Sequence, residues 1–138
     1  MKGPRDHARA LLRKAANDLT AAQAILSTGE ALDTVCFHAQ QVVEKSLKAI
    51  LALHAIEYPW RHDLGELLEL VRPLAPEIAS FEDRIFRMTP YAVEVRYDVE
   101  FEPVLPEAEE ALEIATEVYH FGRKTVDRQG GGIQNCLT

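Results

Sequence analysis

Apolar residues recur along this chain at spacings of three and four, the pattern of helices that bury one face. From about His7 to Leu26 the stripe is Ala8, Leu11, Leu12, Ala15, Leu19, Ala22, Ile25 and Leu26, and Arg9, Arg13, Lys14 and Asp18 fall mostly on the other side. Ser27-Thr28-Gly29 ends that segment. A second helix is predicted from about Glu30 to His54, with a core stripe of Leu32, Val35, Ala39, Val42, Val43, Ser46, Leu47, Ile50 and Leu53. Tyr58-Pro59-Trp60 interrupts the pattern, because proline disfavours helix at the residue before it. Asp63, with Glu66 three positions on, marks the start of a short helix whose buried face is Leu64, Leu67, Leu68 and Val71 and which stops before Pro73. A fourth helix is predicted from Glu77 to Met88, with Ile78, Phe81, Ile85 and Met88 inward. The last runs from about Pro106 to Val126. Proline and three glutamates (Glu107, Glu109, Glu110) suit its first turn, and His120, Arg123 and Lys124 suit its other end.

One stretch breaks the helical period. Val93, Val95, Tyr97, Val99 and Phe101 alternate with Glu94, Arg96, Asp98, Glu100 and Glu102, which in isolation describes a half-buried strand. A lone strand has no partner in an otherwise helical chain, so an irregular or partly helical connection is the competing expectation. The fold class predicted is all-α: an antiparallel four-helix-type bundle with an additional short helix, spanning residues 6–126. Residues 127–138, with Gly130-Gly131-Gly132, are expected to form a disordered tail.

Composition narrows this picture. A chain of 138 residues with 47% apolar content holds one domain with a core that needs neither disulfide nor metal. The net charge of −7 argues against a surface that grips nucleic acid everywhere, though it leaves room for a local basic site. Cys36 and Cys136 are too far apart in sequence to read as a disulfide framework. No secretory leader and no membrane-spanning apolar run is visible, so a cytoplasmic protein is expected. The five histidines form no zinc-binding spacing, and the glycine run precedes no helix as a phosphate loop would. No cofactor is implied.

The second helix holds the candidate chemistry. At 100° per residue, the face opposite its core stripe carries Phe37, His38, Gln41, Glu44, Lys45 and Lys48. An aromatic among these charges implies that something covers the face: a neighbouring helix, a second copy, or a ligand.

The run from Cys36 to Ala49 (CFHAQQVVEKSLKA) resembles the signature helix of the HEPN family, the higher eukaryotes and prokaryotes nucleotide-binding domain. Ala16-Asn17-Asp18-Leu19, His62-Asp63-Leu64 with Leu67-Leu68, and Tyr91-Ala92-Val93 followed by Arg96-Tyr97 resemble further family features in the same order, over about residues 6–126. The resemblance implies a helical domain, often dimeric, for which nucleotide binding is proposed. Its members are often encoded beside a minimal nucleotidyltransferase, in pairs that include toxin–antitoxin systems. Many are RNases whose dimer brings together an arginine and a histidine spaced about four to six residues later.

That last feature is missing here. Arg96 is followed at the required spacing by Phe101, Glu102 and Pro103, and no other arginine has a histidine in the corresponding place. Arginine can hold a phosphate but does not exchange protons near neutral pH, which ribose-hydroxyl chemistry needs. The leading expectation is therefore a non-catalytic nucleotide- or phosphate-binding module that acts with a nucleotidyltransferase-type partner. In it Lys45 and Arg96 contact phosphate, Tyr97 stacks on a base, and His38 and Gln41 hydrogen-bond. Phe37, Glu44 and Lys48 are expected at a homodimer or partner interface. Two alternatives stand beside it. One is a metal-independent RNase with a displaced histidine such as His38 or His62. The other is a pure dimerisation or interaction module.

Overall fold

The computed structural model describes residues 3–58, 63–92 and 98–136, with residues 131–136 as backbone only. Among the described residues every regular element is helical. Helix α1 spans Pro4–Leu26, α2 Leu32–Leu53, α3 Leu64–Val71, α4 Glu82–Phe86 and α5 Leu105–Cys136, with 3-10 helices at Pro76–Phe81 and Thr89–Ala92.

The periodicities predict the long elements well. On α1 the buried residues are Ala8, Leu12, Ala15, Leu19 and Ala22, all on the expected stripe. Asp63 caps α3, its side chain accepting from the Glu66 N–H at 3.1 Å, and Leu64, Leu67, Leu68 and Val71 are buried. The segment expected as one helix over 77–88 is instead a 3-10 helix followed by the single turn and a half of α4. Its inward residues hold, however: Ile78, Ile85 and Met88 are buried and Phe81 packs against the core. A spacing of three, from Ile78 to Phe81, fits a 3-10 turn, and a spacing of four, from Phe81 to Ile85, fits an α turn. The apolar pattern is indifferent between the two.

Helices α1 and α2, joined through residues 27–31, lie antiparallel. Helix α5 packs against both but runs in the direction of α2. Gly122 sits against Ser46, while further along Gly130 sits against Leu53 and Gln129 meets His54. The expected antiparallel arrangement therefore holds for α1–α2 and not for α2–α5. The long connection from residue 54 to 104 carries the chain back before α5 starts.

Helix α5 continues past Val126, through Cys136. Gln129 donates to the Leu74 carbonyl at 2.9 Å and accepts from His54 Nε2 at 2.6 Å, and Gly130 lies on Leu53. These contacts hold the helix past the point where three glycines, each about 1 kcal/mol poorer than alanine in a helix, predict its end.

Helix α2 occupies the middle, packed against α1, α3, α5 and the Thr89–Ala92 turn. Nearly its whole circumference is covered. Cys36, Gln40 and Glu44, which fall outside the expected core stripe, are all buried. The Cys36 thiol is pushed up to about 12, chiefly by burial and then by Glu107 and Asp33.

Helix α2 ends in a Schellman arrangement, with the Ile56 N–H bonded to the Leu51 carbonyl at 2.9 Å. The residue that takes the left-handed conformation is Ala55, at φ 56°. Glycine adopts that conformation without the steric cost of a Cβ. Ala55→Gly is thus expected to stabilise the protein by about 0.5–1 kcal/mol, after allowing for glycine's larger unfolded-state entropy. A small rise in melting temperature, measured calorimetrically, is the readout, and a fall contradicts the assignment.

Candidate functional site

The polar residues of α2 fall into two connected groups. In the first, His38 and Lys45 stand seven residues apart on one line of the helix and converge on a single carboxylate of α1. The His38 Nδ1–H donates to Asp18 Oδ1 at 2.8 Å, and Lys45 Nζ donates to Asp18 Oδ2. All three side chains are largely screened from solvent, with Asp18 the most covered.

Asp18 is the participant the periodicity misplaces, because it falls outside the main stripe of α1. A signal was nonetheless present. Leu11, Asp18 and Ile25 follow one another at intervals of seven, and both apolar members pack against the core. That line flanks the stripe and faces α2, and an aspartate within it needs a cationic partner across the helix pair.

The second group centres on Glu44, which is 1% exposed. Lys48, one turn later, donates to Glu44 Oε1 at 2.8 Å, and Gln41 donates to Glu44 Oε2 at 3.2 Å. Gln41 also donates to Gln40 Oε1 at 2.7 Å, and Gln40 is itself fully buried. The Lys48 ammonium lies 5.1 Å from the centre of the Tyr58 ring, whose hydroxyl meets His7 of α1 at 3.1 Å. A lysine over an aromatic face is attracted by the ring's quadrupole, so Tyr58 steadies the cation that neutralises Glu44.

The predicted set is thus partly assembled. His38, Gln41 and Lys45 lie along one side of α2, and Phe37 lays its ring against that of His38, with centroids 5.6 Å apart at 70°. Glu44 does not belong to an outward face: it is sealed inside the chain, which leaves Phe37 and Lys48 as the surface-reaching members of the expected interface. Arg96 and Tyr97 lie outside the described residues, as do residues 93–97 of the alternating stretch and His62. Within the described part of that stretch, Asp98–Phe101 form a turn closed by the Phe101 N–H on the Asp98 carbonyl at 3.1 Å.

Each group pairs a carboxylate with a lysine. Asp18 lies against both Lys45 and His38, and Glu44 lies against Lys48. Tyr91, which packs on the start of α5, is pushed up to about 12 by burial, with Cys36, Glu107 and Glu110 adding to the effect. Among the described residues no group of three or more histidine, cysteine, aspartate or glutamate side chains is placed to hold a metal ion. No helix there is long and apolar enough to cross a membrane.

The helical order, the central α2 and its buried polar line agree with a family assignment that covers most of the chain. The model of the HEPN domain matches residues 8–125. The chain belongs to the HEPN family. Comparison with curated proteins and with solved structures returned no match. The HEPN assignment fits the sequence resemblance in extent and covers most of α1, all of α2, α3 and α4, and most of α5, including both polar groups of α2. It supports a module concerned with nucleotides or RNA.

Proposed function

We propose that this HEPN domain binds a nucleotide or another phosphate-bearing ligand beside α2 and works with a nucleotidyltransferase-type partner, in a toxin–antitoxin-like pair. The observation that carries the reading is the Asp18–His38–Lys45 cluster. Asp18 engages His38 through Nδ1 and leaves Nε2 for another partner, and an ammonium that gives one proton to Asp18 has two left to donate. Cations held in place by a carboxylate lose less freedom on meeting a phosphate than free side chains do. Arg96 and Tyr97 are proposed to complete the site, the arginine by bidentate contact with phosphate and the tyrosine by stacking on a base. Gln41 supplies an amide at its edge. A homodimer in the cytoplasm, with Phe37 and Lys48 at the interface, belongs to the same proposal.

The test is calorimetric titration of the full chain with a panel of nucleoside mono-, di- and triphosphates, for wild type, Lys45→Ala and Arg96→Ala. Saturable wild-type binding, weakened by about tenfold or more in each variant, is expected; that factor corresponds to about 1.4 kcal/mol, within the range of one charge-assisted hydrogen bond. A folded wild type that gives no heat with any nucleotide overturns the reading.

The His38–Asp18 bond favours a second reading, RNA cleavage with His38 as the displaced proton-transfer group. A carboxylate on Nδ1 orients an imidazole and sets its tautomer, as a catalytic histidine requires. Cleavage of an RNA panel, abolished by His38→Ala and by Arg96→Ala, supports it, and repeated absence of cleavage removes it.

A further inference from the structure

The second half of α5 carries a cleft that neither polar group of α2 enters. It measures about 680 Å³ and is walled by Phe81, from the Pro76–Phe81 helix, and by Phe121. The two rings stand 5.5 Å apart, centre to centre, at 60°. Both are half-buried, so their inner edges rest on the core while their outer surfaces line the cleft. A volume of this size lies within the usual range for small-molecule sites.

Charge is distributed unevenly around it. Glu117 lies on the rim, but Arg84 holds its carboxylate by two parallel hydrogen bonds of 3.2 and 2.6 Å. That pair keeps the Glu117 carboxyl below its ordinary value and the Arg84 guanidinium above its own. Arg123 and Lys124, on the same rim, are exposed and make no hydrogen bond or ion pair among the described residues. Asp127 is the remaining carboxylate there. Arg84 also lies 3.9 Å from Glu113, and the cleft's own lining carries two cations, Arg123 and Lys124, and two carboxylates, Asp127 and the Arg84-bound Glu117. In a chain whose net charge is −7, this is a locally balanced patch in which both lining cations are uncommitted.

We infer that the Phe81–Phe121 cleft is a second binding site, for a small amphipathic anion: a flat apolar or aromatic body carrying one carboxylate, sulfonate or phosphate. The body lies against the two phenylalanine rings, and the acid group reaches Arg123 and Lys124. Arginine offers a planar fork to an oxyanion and lysine a mobile point charge, so together they tolerate acid groups of different shape. The bidentate lock on Glu117 matters to this, because a free carboxylate at that position repels the ligand's charge. The site is independent of the Asp18–His38–Lys45 cluster and does not rest on the function proposed for it.

The probe is 8-anilinonaphthalene-1-sulfonate, which has the required flat body and single acid group. Titrated into the folded full chain, it is expected to show saturable fluorescence enhancement at one site, and the signal should fall at the cooperative thermal transition. The double variant Arg123→Glu/Lys124→Glu, at exposed positions, is expected to raise the dissociation constant by about tenfold or more. The uncharged analogue N-phenyl-1-naphthylamine is expected to bind more weakly by a similar factor. Lys45→Ala is expected to leave the affinity unchanged, which separates this site from the one beside α2. Unchanged affinity in a folded double variant overturns the inference, as does equal binding of the uncharged analogue or the absence of saturable enhancement.

Discussion

Replacing Lys48 with methionine is expected to lower the free energy of unfolding by about 3 kcal/mol. Methionine keeps the length and the apolar stem of the side chain, so little packing is lost. What disappears is the ammonium 2.8 Å from Glu44, a carboxylate only 1% exposed. The amides of Gln41 and Gln40, at 3.2 and 3.5 Å, are among the partners that remain, but a neutral donor does not replace a charge in a medium of low polarity. The Tyr58 ring loses its cation as well. Because net stabilities are typically about 5–15 kcal/mol, the loss should show plainly as a shifted urea midpoint. Glu44→Gln in the same chain is expected to restore part of it, since the buried charge then goes with its partner. If Lys48→Met unfolds at the wild-type midpoint, Glu44 does not depend on that cation. If the double variant is worse than the sum of the single ones, the polar group acts as a larger unit than this pair.

Gly122→Val is expected to cost about 2–3 kcal/mol, because an added side chain has nowhere to go. A Cβ at Gly122 meets the Cβ and the carbonyl oxygen of Ser46, each at 3.2 Å. Two of the three nearest atoms belong to the backbone of α2, which moves only if the whole helix moves. Helix propensity works the other way, by about 0.5 kcal/mol or so for valine over glycine, and is too small to compensate. The same urea experiment reads the result. A neutral outcome means that α2 and α5 separate more easily than their close approach implies.

Much of this architecture is legible in the apolar pattern, for reasons that also mark its limits. A helix with one buried face writes that face into its sequence, as α1 and α3 do. Helix α2 is covered on nearly all sides, so its periodicity marks one packed face and gives no warning that Glu44 and Gln40 are inside as well. The resemblance to the family carried the identity of α2 better than its amphipathicity did. Asp18 was hidden because a helix wheel assigns a flank position to solvent unless the neighbouring helix is known. The continuation of α5 past Val126 was hidden for a related reason. It depends on His54 and Leu74, residues far away in sequence, and local propensity opposes it. Direction within the bundle is likewise a matter of how the connection between residues 54 and 104 returns, which helical spacing does not encode.

The same arrangement has a consequence for how the chain assembles. Helices α1 and α2 are neighbours in sequence, so closing their connection costs little entropy and their pairing can precede everything else. The partner for the other side of α2 is some seventy residues further on, where Gly122 meets Ser46. During synthesis the hairpin therefore spends several seconds or more with half of its central helix unsatisfied, at about 5–20 residues per second. Arrival of α5 is the step that closes the core, and a ribosome-bound chain stopped before residue 122 presents to chaperones the surface that the finished domain conceals.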